Sequence, residues 1–215
     1  MKKQAAPAYS LGEEMVHAIT HGVGALASVV GCVLLLIKAA LGGSAVALVS
    51  AAIYGASLII LYTMSTLYHS LTNQRAKRVF RVFDHCTIFL LIAGTYTPYL
   101  LLTLGGTLGL VIFCILWGMT ILGIVLNAVN LERFKRFSMI CYVVMGWCIV
   151  VVIKPVVLAL GAAGTILMVA GGLLYTIGIF FYRQKQIQYM HAVWHLFVFA
   201  ASFLHYLSVL LYVIP

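Results

Sequence analysis

Runs of about 20 apolar residues recur along this chain, separated by short breaks rich in charge or glycine. That length is what a helix needs to cross the hydrocarbon core of a bilayer, where a helix satisfies its own backbone polar groups. The runs fall at about 16–38, 44–69, 84–104, 108–128, 138–158, 163–183 and 190–213. The expectation is an all-α integral membrane protein, a bundle of seven transmembrane helices. The runs use most of the 215 residues, so a single domain over 1–215 is expected. Composition agrees: 64% of residues are hydrophobic and 8% charged, more apolar surface than a soluble domain of this size can hide.

Lys2 and Lys3 precede the first run in the manner of a signal peptide. However, Glu13, Glu14, His17 and His21 stand at the entrance to the run, no small-residue cleavage site follows, and the run exceeds a typical signal core. It is read as a retained helix. The five cysteines are scattered, odd in number and never in a CxxC pair. They are read as small packing residues rather than a disulfide framework or a thiolate metal site.

Charge gives orientation. Of the 13 Lys and Arg residues, eleven fall at one side: Lys2 and Lys3; Arg75, Lys77, Arg78 and Arg81; Arg133, Lys135 and Arg136; Arg183 and Lys185. Lys38 and Lys154 fall at the other. Short basic loops stay in the cytoplasm, so the N-terminus is expected inside and the C-terminus outside. The formal net charge of +9 is then topology, with attraction to anionic inner-leaflet headgroups as a secondary effect. The basic residues are spread over short juxtamembrane loops, which argues against a nucleic-acid partner. The outer connections are short and contain glycine (Gly42-Gly43, Gly105-Gly106, Gly161 to Gly164), with no room for a receptor domain. Gly24 with Ser28, and Ala27 with Gly31, offer small faces for close helix contact. Pro98 is expected to kink the third span. No internal repeat supports an inverted-repeat transporter.

Ionisable residues within these runs are costly and mark function. Ser65 and His69 are four apart and share a face near the inner end of span two. His191 and His195, also four apart, stack one turn along span seven, close enough for two imidazoles to grip one ion. With His69 they make a three-histidine shell, and zinc with three protein ligands and one open position is the catalytic pattern. Taken singly, an HxxxH pair is equally a packed pair or a heme ligand. Ser65 can return a hydrogen bond to its own backbone, and Asp84 can be the N-cap of span three. The convergence of three helices at one membrane depth favours the site. Glu14 and His21, seven apart, share a face of span one as an outer pair or gate, while Glu14 alone could simply favour a helix N-terminus. His17 is read as interfacial. His85 points about 100° away from Asp84, toward a neighbour or headgroups. His205, about 15 Å deeper than His195, is read as a hydrogen-bonded core residue.

These segments resemble the hemolysin III family, which groups with the adiponectin and progestin receptors and the alkaline ceramidases. The matching segments are Glu13-Glu14 with His21-Gly22, Ser65 to His69, Phe83 to Cys86, Gly94 to Pro98, and His191 to His195 with His205. They cover essentially the whole chain. The small bacterial inner-membrane members are the most similar in form. The resemblance implies seven helices around an intramembrane zinc on the cytoplasmic side, bound by His69, His191 and His195. It implies that Asp84 holds the zinc-bound water and that Ser65 lies close by.

The reading that follows first is a zinc-dependent lipid amide or ester hydrolase, ceramidase-like, acting on membrane lipids at the cytoplasmic leaflet of the inner membrane. Asp84 would be the general base and Ser65 a hydrogen-bond donor. The alternative is a non-enzymatic sensor or regulator of membrane homeostasis with zinc as a structural clamp. A pore-forming cytolysin ranks below both, because polar residues gather at the inner end rather than along a full crossing.

Overall fold

The computed structural model describes residues 9–184 and 186–215. Lys2, Lys3 and Lys185, three of the charges used for orientation, lie outside the described residues. All regular structure among the described residues is helical.

Helix α1 (Leu11–Leu41) starts at a capping box. Ser10 Oγ accepts from the Glu13 amide at 3.3 Å and Glu13 Oε2 accepts from the Ser10 amide at 2.9 Å, which satisfies two backbone donors at the helix start. Helix α2 (Ala45–Ser70) is capped by Ser44, and α3 (Gln74–Pro98) by Asn73, whose Oδ1 accepts from the amides of Arg75 and Ala76. The α3 start corrects the reading of Asp84 as an N-cap: Asp84 lies ten residues inside the helix. The basic segment 74–83 is helical because its charges find partners, Lys77 with Glu14 and Arg81 with Glu132. At Pro98 the helix widens into a π-helical turn, Tyr99–Leu104, rather than ending.

Helix α4 (Gly106–Gly146) is interrupted at Asn130, where φ is −161° and ψ 89°. The Asn130 Oδ1 accepts from the Arg133 amide at 3.0 Å, so a new helical segment is capped there. A 3-10 stretch, Cys148–Val152, leads into α5 (Ile153–Arg183), which breaks at Gly161. Gly161 has φ 69° and ψ −178°, a conformation essentially confined to glycine. Helix α6 (Met190–Ser208) continues as a π-helical turn, Val209–Val213. Five stretches are long and apolar enough to cross a membrane: Leu11–Leu41, Ala45–Ser70, Gln74–Leu104, Gly106–Arg183 and Met190–Val213.

One stripe of α1 is buried: Glu13, His17, His21, Gly24, Ser28, Gly31, Leu35 and Ala39. Its other faces present Ile19, Val23, Leu26 and Val30 outward, as a lipid-facing helix does. Tyr62 of α2 closes on Gly24, where an added Cβ would stand 2.6 Å from its ring, and Tyr206 of α6 closes on Gly31. Ala27 is exposed, so Gly31 belongs to the stripe of Gly24 and Ser28, not to a separate Ala27 face. At the far end of α1, Lys38 Nζ donates to the carbonyls of Leu210 and Ile214, both at 2.7 Å. One of the two lysines on the poorly charged side therefore ties α1 to the end of the chain. The five cysteines are free.

Candidate metal centre

Three helices bring imidazoles together. His69 lies in the last turn of α2, His191 and His195 in the first two turns of α6, and α1 adds His17 and His21. Donor atoms of His69, His191 and His195 fall within 4.8 Å of one another. The ring centres of His69 are 5.3 Å from His191 and 5.2 Å from His195, and those of His191 and His195 are 4.7 Å apart. The sequence spacing puts His191 and His195 on one face of their helix and His69 at a similar depth, and the structure brings the three together.

The neighbours fix which nitrogen faces inward. His69 Nδ1 donates to Glu14 Oε2 at 2.7 Å. A carboxylate can only accept, so Nδ1 carries a proton, and in the neutral ring the lone pair is then on Nε2. That Nε2 is buried and has no hydrogen-bond partner. His195 Nδ1 lies 3.3 Å from the His17 carbonyl and 3.2 Å from Thr20 Oγ1. The Thr20 hydroxyl donates to the Val16 carbonyl at 2.8 Å, so both oxygens accept from His195. Its Nε2 is likewise left as a lone pair. Imidazoles whose far nitrogen donates to a carboxylate or carbonyl are arranged as metal ligands. A buried nitrogen without a partner costs about 1–3 kcal/mol, a cost that coordination removes. The cluster therefore fits a metal ion.

Glu14 is the residue whose role the sequence left open. It does not pair with His21. Its carboxylate bridges His69 and Lys77, with Lys77 Nζ 2.6 Å from Oε1. Lys77 also lies 5.4 Å from the Tyr68 ring centre. His17 was read as interfacial, and the structure overturns this: it is fully buried, with ring centres 4.6 Å from His69 and 4.8 Å from His191. Its place on the stripe of His21, Gly24 and Ser28 is the sequence signal that locates it. His21 stacks on His195 with centres 3.5 Å apart. Thr20 and Tyr9 also approach the cluster, with no spacing signal in the sequence to mark them. Tyr9 stacks on His191 with centres 5.3 Å apart, and burial first, then Tyr182, Glu14 and Asp84, hold its phenol protonated well above the usual range.

Asp84 and Ser65 open on a cavity of about 180 Å³ that also reaches Tyr9, His21, His191 and His195. Asp84 Oδ2 is 3.7 Å from His85 Nδ1, which donates to the Arg81 carbonyl at 2.9 Å. Ser65 is buried on α2. The cavity continues past Ile88, Leu91 and Val198 to His205. His205 was expected to be a hydrogen-bonded core residue. Its Nδ1 has no hydrogen-bond partner, and its ring meets Tyr175 edge-on at 5.7 Å. It is a buried polar group lining the same cavity, together with Thr95, Tyr96, Tyr175 and Thr176.

A family profile described as "Haemolysin-III related" matches residues 9–206. The chain is 43% identical over 203 residues to a protein named "Hemolysin-3" from Bacillus cereus, covering 94% of this chain and 93% of that one. It is 43% identical over 204 residues to a "Hemolysin-3 homolog" from Bacillus subtilis (strain 168), covering 95% and 96%. A more distant likeness, 28% over 167 residues, is to "Monocyte to macrophage differentiation factor" of Homo sapiens, covering 75% of this chain and 69% of that protein.

Proposed function

The chain belongs to the haemolysin-III related family, and from that premise we propose that its imidazole cluster holds zinc and serves hydrolysis of a lipid amide or ester at the cytoplasmic leaflet of the bacterial inner membrane. One observation carries the reading: Asp84, Ser65, His191 and His195 share a single cavity, which Ile88, Leu91, Ile92 and Val198 also line.

Seven crossings would give that placement. The 78-residue stretch Gly106–Arg183 would measure roughly 117 Å as one helix, about four bilayer cores. Its breaks at Asn130 and Gly161 divide it into pieces of roughly 24, 30 and 22 residues, each long enough to cross once. The Asn130 break sits beside Arg133, Lys135 and Arg136, and the Gly161 break lies in an uncharged loop. On the charge rule the N-terminus and the histidine cluster would lie at the cytoplasmic side and the C-terminus outside.

His69, His191 and His195 would hold the ion. Neutral imidazoles suit zinc, and the free cysteines offer no rival thiolate set. Zinc bound there would supply Lewis acidity toward a carbonyl oxygen and make water ionisable near neutral pH. Asp84 would accept the proton of the attacking water. Ser65 and the protonated phenol of Tyr9 line the same cavity and would donate hydrogen bonds to the developing oxyanion. The extension past Ile88, Leu91 and Val198 would take an acyl chain.

The test is fatty-acid release from amide- and ester-linked lipids by the purified, zinc-loaded protein. Wild type should release it, and Asp84→Asn should keep zinc while losing release. A zinc-loaded wild type that releases nothing from either lipid class would reject hydrolysis. The reading left would be a structural clamp in a membrane-homeostasis sensor, favoured by the meeting of α1, α2 and α6 at the cluster.

A further inference from the structure

We propose that His17 is a fourth protein ligand, so that the resting centre is a closed cage of four imidazoles. This rests on the zinc reading above. His17, His69, His191 and His195 define six separations between ring centres. Those from His17 are 4.6, 4.8 and 5.3 Å, and those among the other three are 4.7, 5.2 and 5.3 Å. These are the edges of a nearly regular tetrahedron. The middle of a tetrahedron with edges of about 5 Å lies about 3 Å from each corner. An imidazole nitrogen lies about 1.2 Å from its ring centre, so nitrogens aimed inward stand about 2 Å from the middle, the zinc–nitrogen bond length.

His17 also has the right freedom. It is fully buried, and neither of its ring nitrogens has a hydrogen-bond partner. One of its donor atoms already falls within 4.8 Å of donor atoms on His69 and Glu14. Turning the ring to aim a nitrogen at the middle breaks no hydrogen bond. His21, by contrast, lies in a parallel stack 3.5 Å from His195, a spacing two ligands of one ion do not adopt. The His17 carbonyl meanwhile accepts from His195 Nδ1 at 3.3 Å, so the same residue orients one ligand and supplies another. The ligands then come from α1, α2 and α6. Under the proposed hydrolysis, His17 is the ligand that water displaces, and an outward shift of the first turns of α1 would open the centre.

X-ray absorption of the zinc-loaded wild type in lipid nanodiscs tests this without any variant. Four imidazoles are expected around zinc. Three imidazoles and one oxygen would overturn the proposal and leave the zinc reading standing. A wild type that binds no zinc would overturn both. His17→Gln should show three imidazoles and an oxygen. Its zinc dissociation constant should rise beyond the roughly 10–100-fold expected when a residue behind a ligand, such as Glu14, is changed. An equal or smaller rise would count against His17 as a ligand.

Discussion

Glu14→Gln separates the binding role of the cluster from its packing role. Glu14 accepts from His69 Nδ1 at 2.7 Å and from Lys77 Nζ at 2.6 Å, and its side chain is 13% exposed against 9% for Lys77. Removing the charge should act on two observables. The basicity of His69 falls, and changes behind a metal ligand cost about 10–100-fold in affinity, or about 1.4–2.7 kcal/mol. In the metal-free protein, breaking a buried ion pair costs about 3–5 kcal/mol. The glutamine oxygen can still accept one of the two hydrogen bonds, so about 2–3 kcal/mol is expected. Zinc affinity would be read by competition with a chelator, and stability by unfolding in denaturing detergent without metal. The double variant Glu14→Gln/Lys77→Met removes the stranded ammonium. It should recover most of the stability and none of the affinity, because His69 lacks its carboxylate in both variants. An unchanged zinc dissociation constant in Glu14→Gln would refute the assignment of Glu14 as the group behind His69.

Gly24→Ala should destabilise the protein by about 1–3 kcal/mol in detergent unfolding, because the added Cβ meets the Tyr62 ring at 2.6 Å. Gly118→Ala, with open space around it, is the control and should be neutral or better. Gly161→Ala should cost at least about 1 kcal/mol through its positive φ alone, since no atom lies within 4 Å of the new methyl. For topology, Thr72→Cys and Thr107→Cys in a cysteine-free background should react with an impermeant maleimide from opposite sides of the membrane. Reaction from the same side would refute the count of crossings between them.

The apolar runs were legible because spanning length and backbone satisfaction leave little choice in hydrocarbon. The pairing of His69 with His191 and His195 was legible because two four-residue spacings each fixed a helix face. What failed did so for identifiable reasons. Asp84 was taken as a helix start because the charged segment 74–83 looked too polar to belong to a spanning helix. Two of its four cations are instead matched across helices, Lys77 by Glu14 of α1 and Arg81 by Glu132 of α4. His17 was placed at the interface on polarity, although the buried spacing 17, 21, 24, 28, 31 and 35 runs through it. Glu14 shares a helix face with His21, which leaves a pair or a plain helix-start role equally open, whereas its partners lie across helix boundaries. Faces within a helix follow from spacing, and the rotation of one helix against the next does not.

The charges around the cluster bear on which chemistry it suits. Glu14 and Asp84 are carboxylates that approach it, and Lys77 is bound to Glu14. Histidine ligands to a metal are neutral and add no charge. With a divalent ion in place, the two negative charges face three positive ones, leaving the site one unit positive. Arg81 and Lys135 also line the cavity and share the single carboxylate of Glu132, which adds a further positive unit. An excess positive charge in a partly desolvated cavity is costly unless an anion forms or binds there. Such a site favours a state in which oxygen carries negative charge, whether the oxyanion of an acyl transfer or a carboxylate product. Asp84→Asn removes one of the two carboxylates and makes the site more positive still. It should therefore bind a fatty-acid carboxylate more tightly than wild type does while failing to produce one. Weaker carboxylate binding by that variant would show that the balance of charge does not govern what the cavity holds.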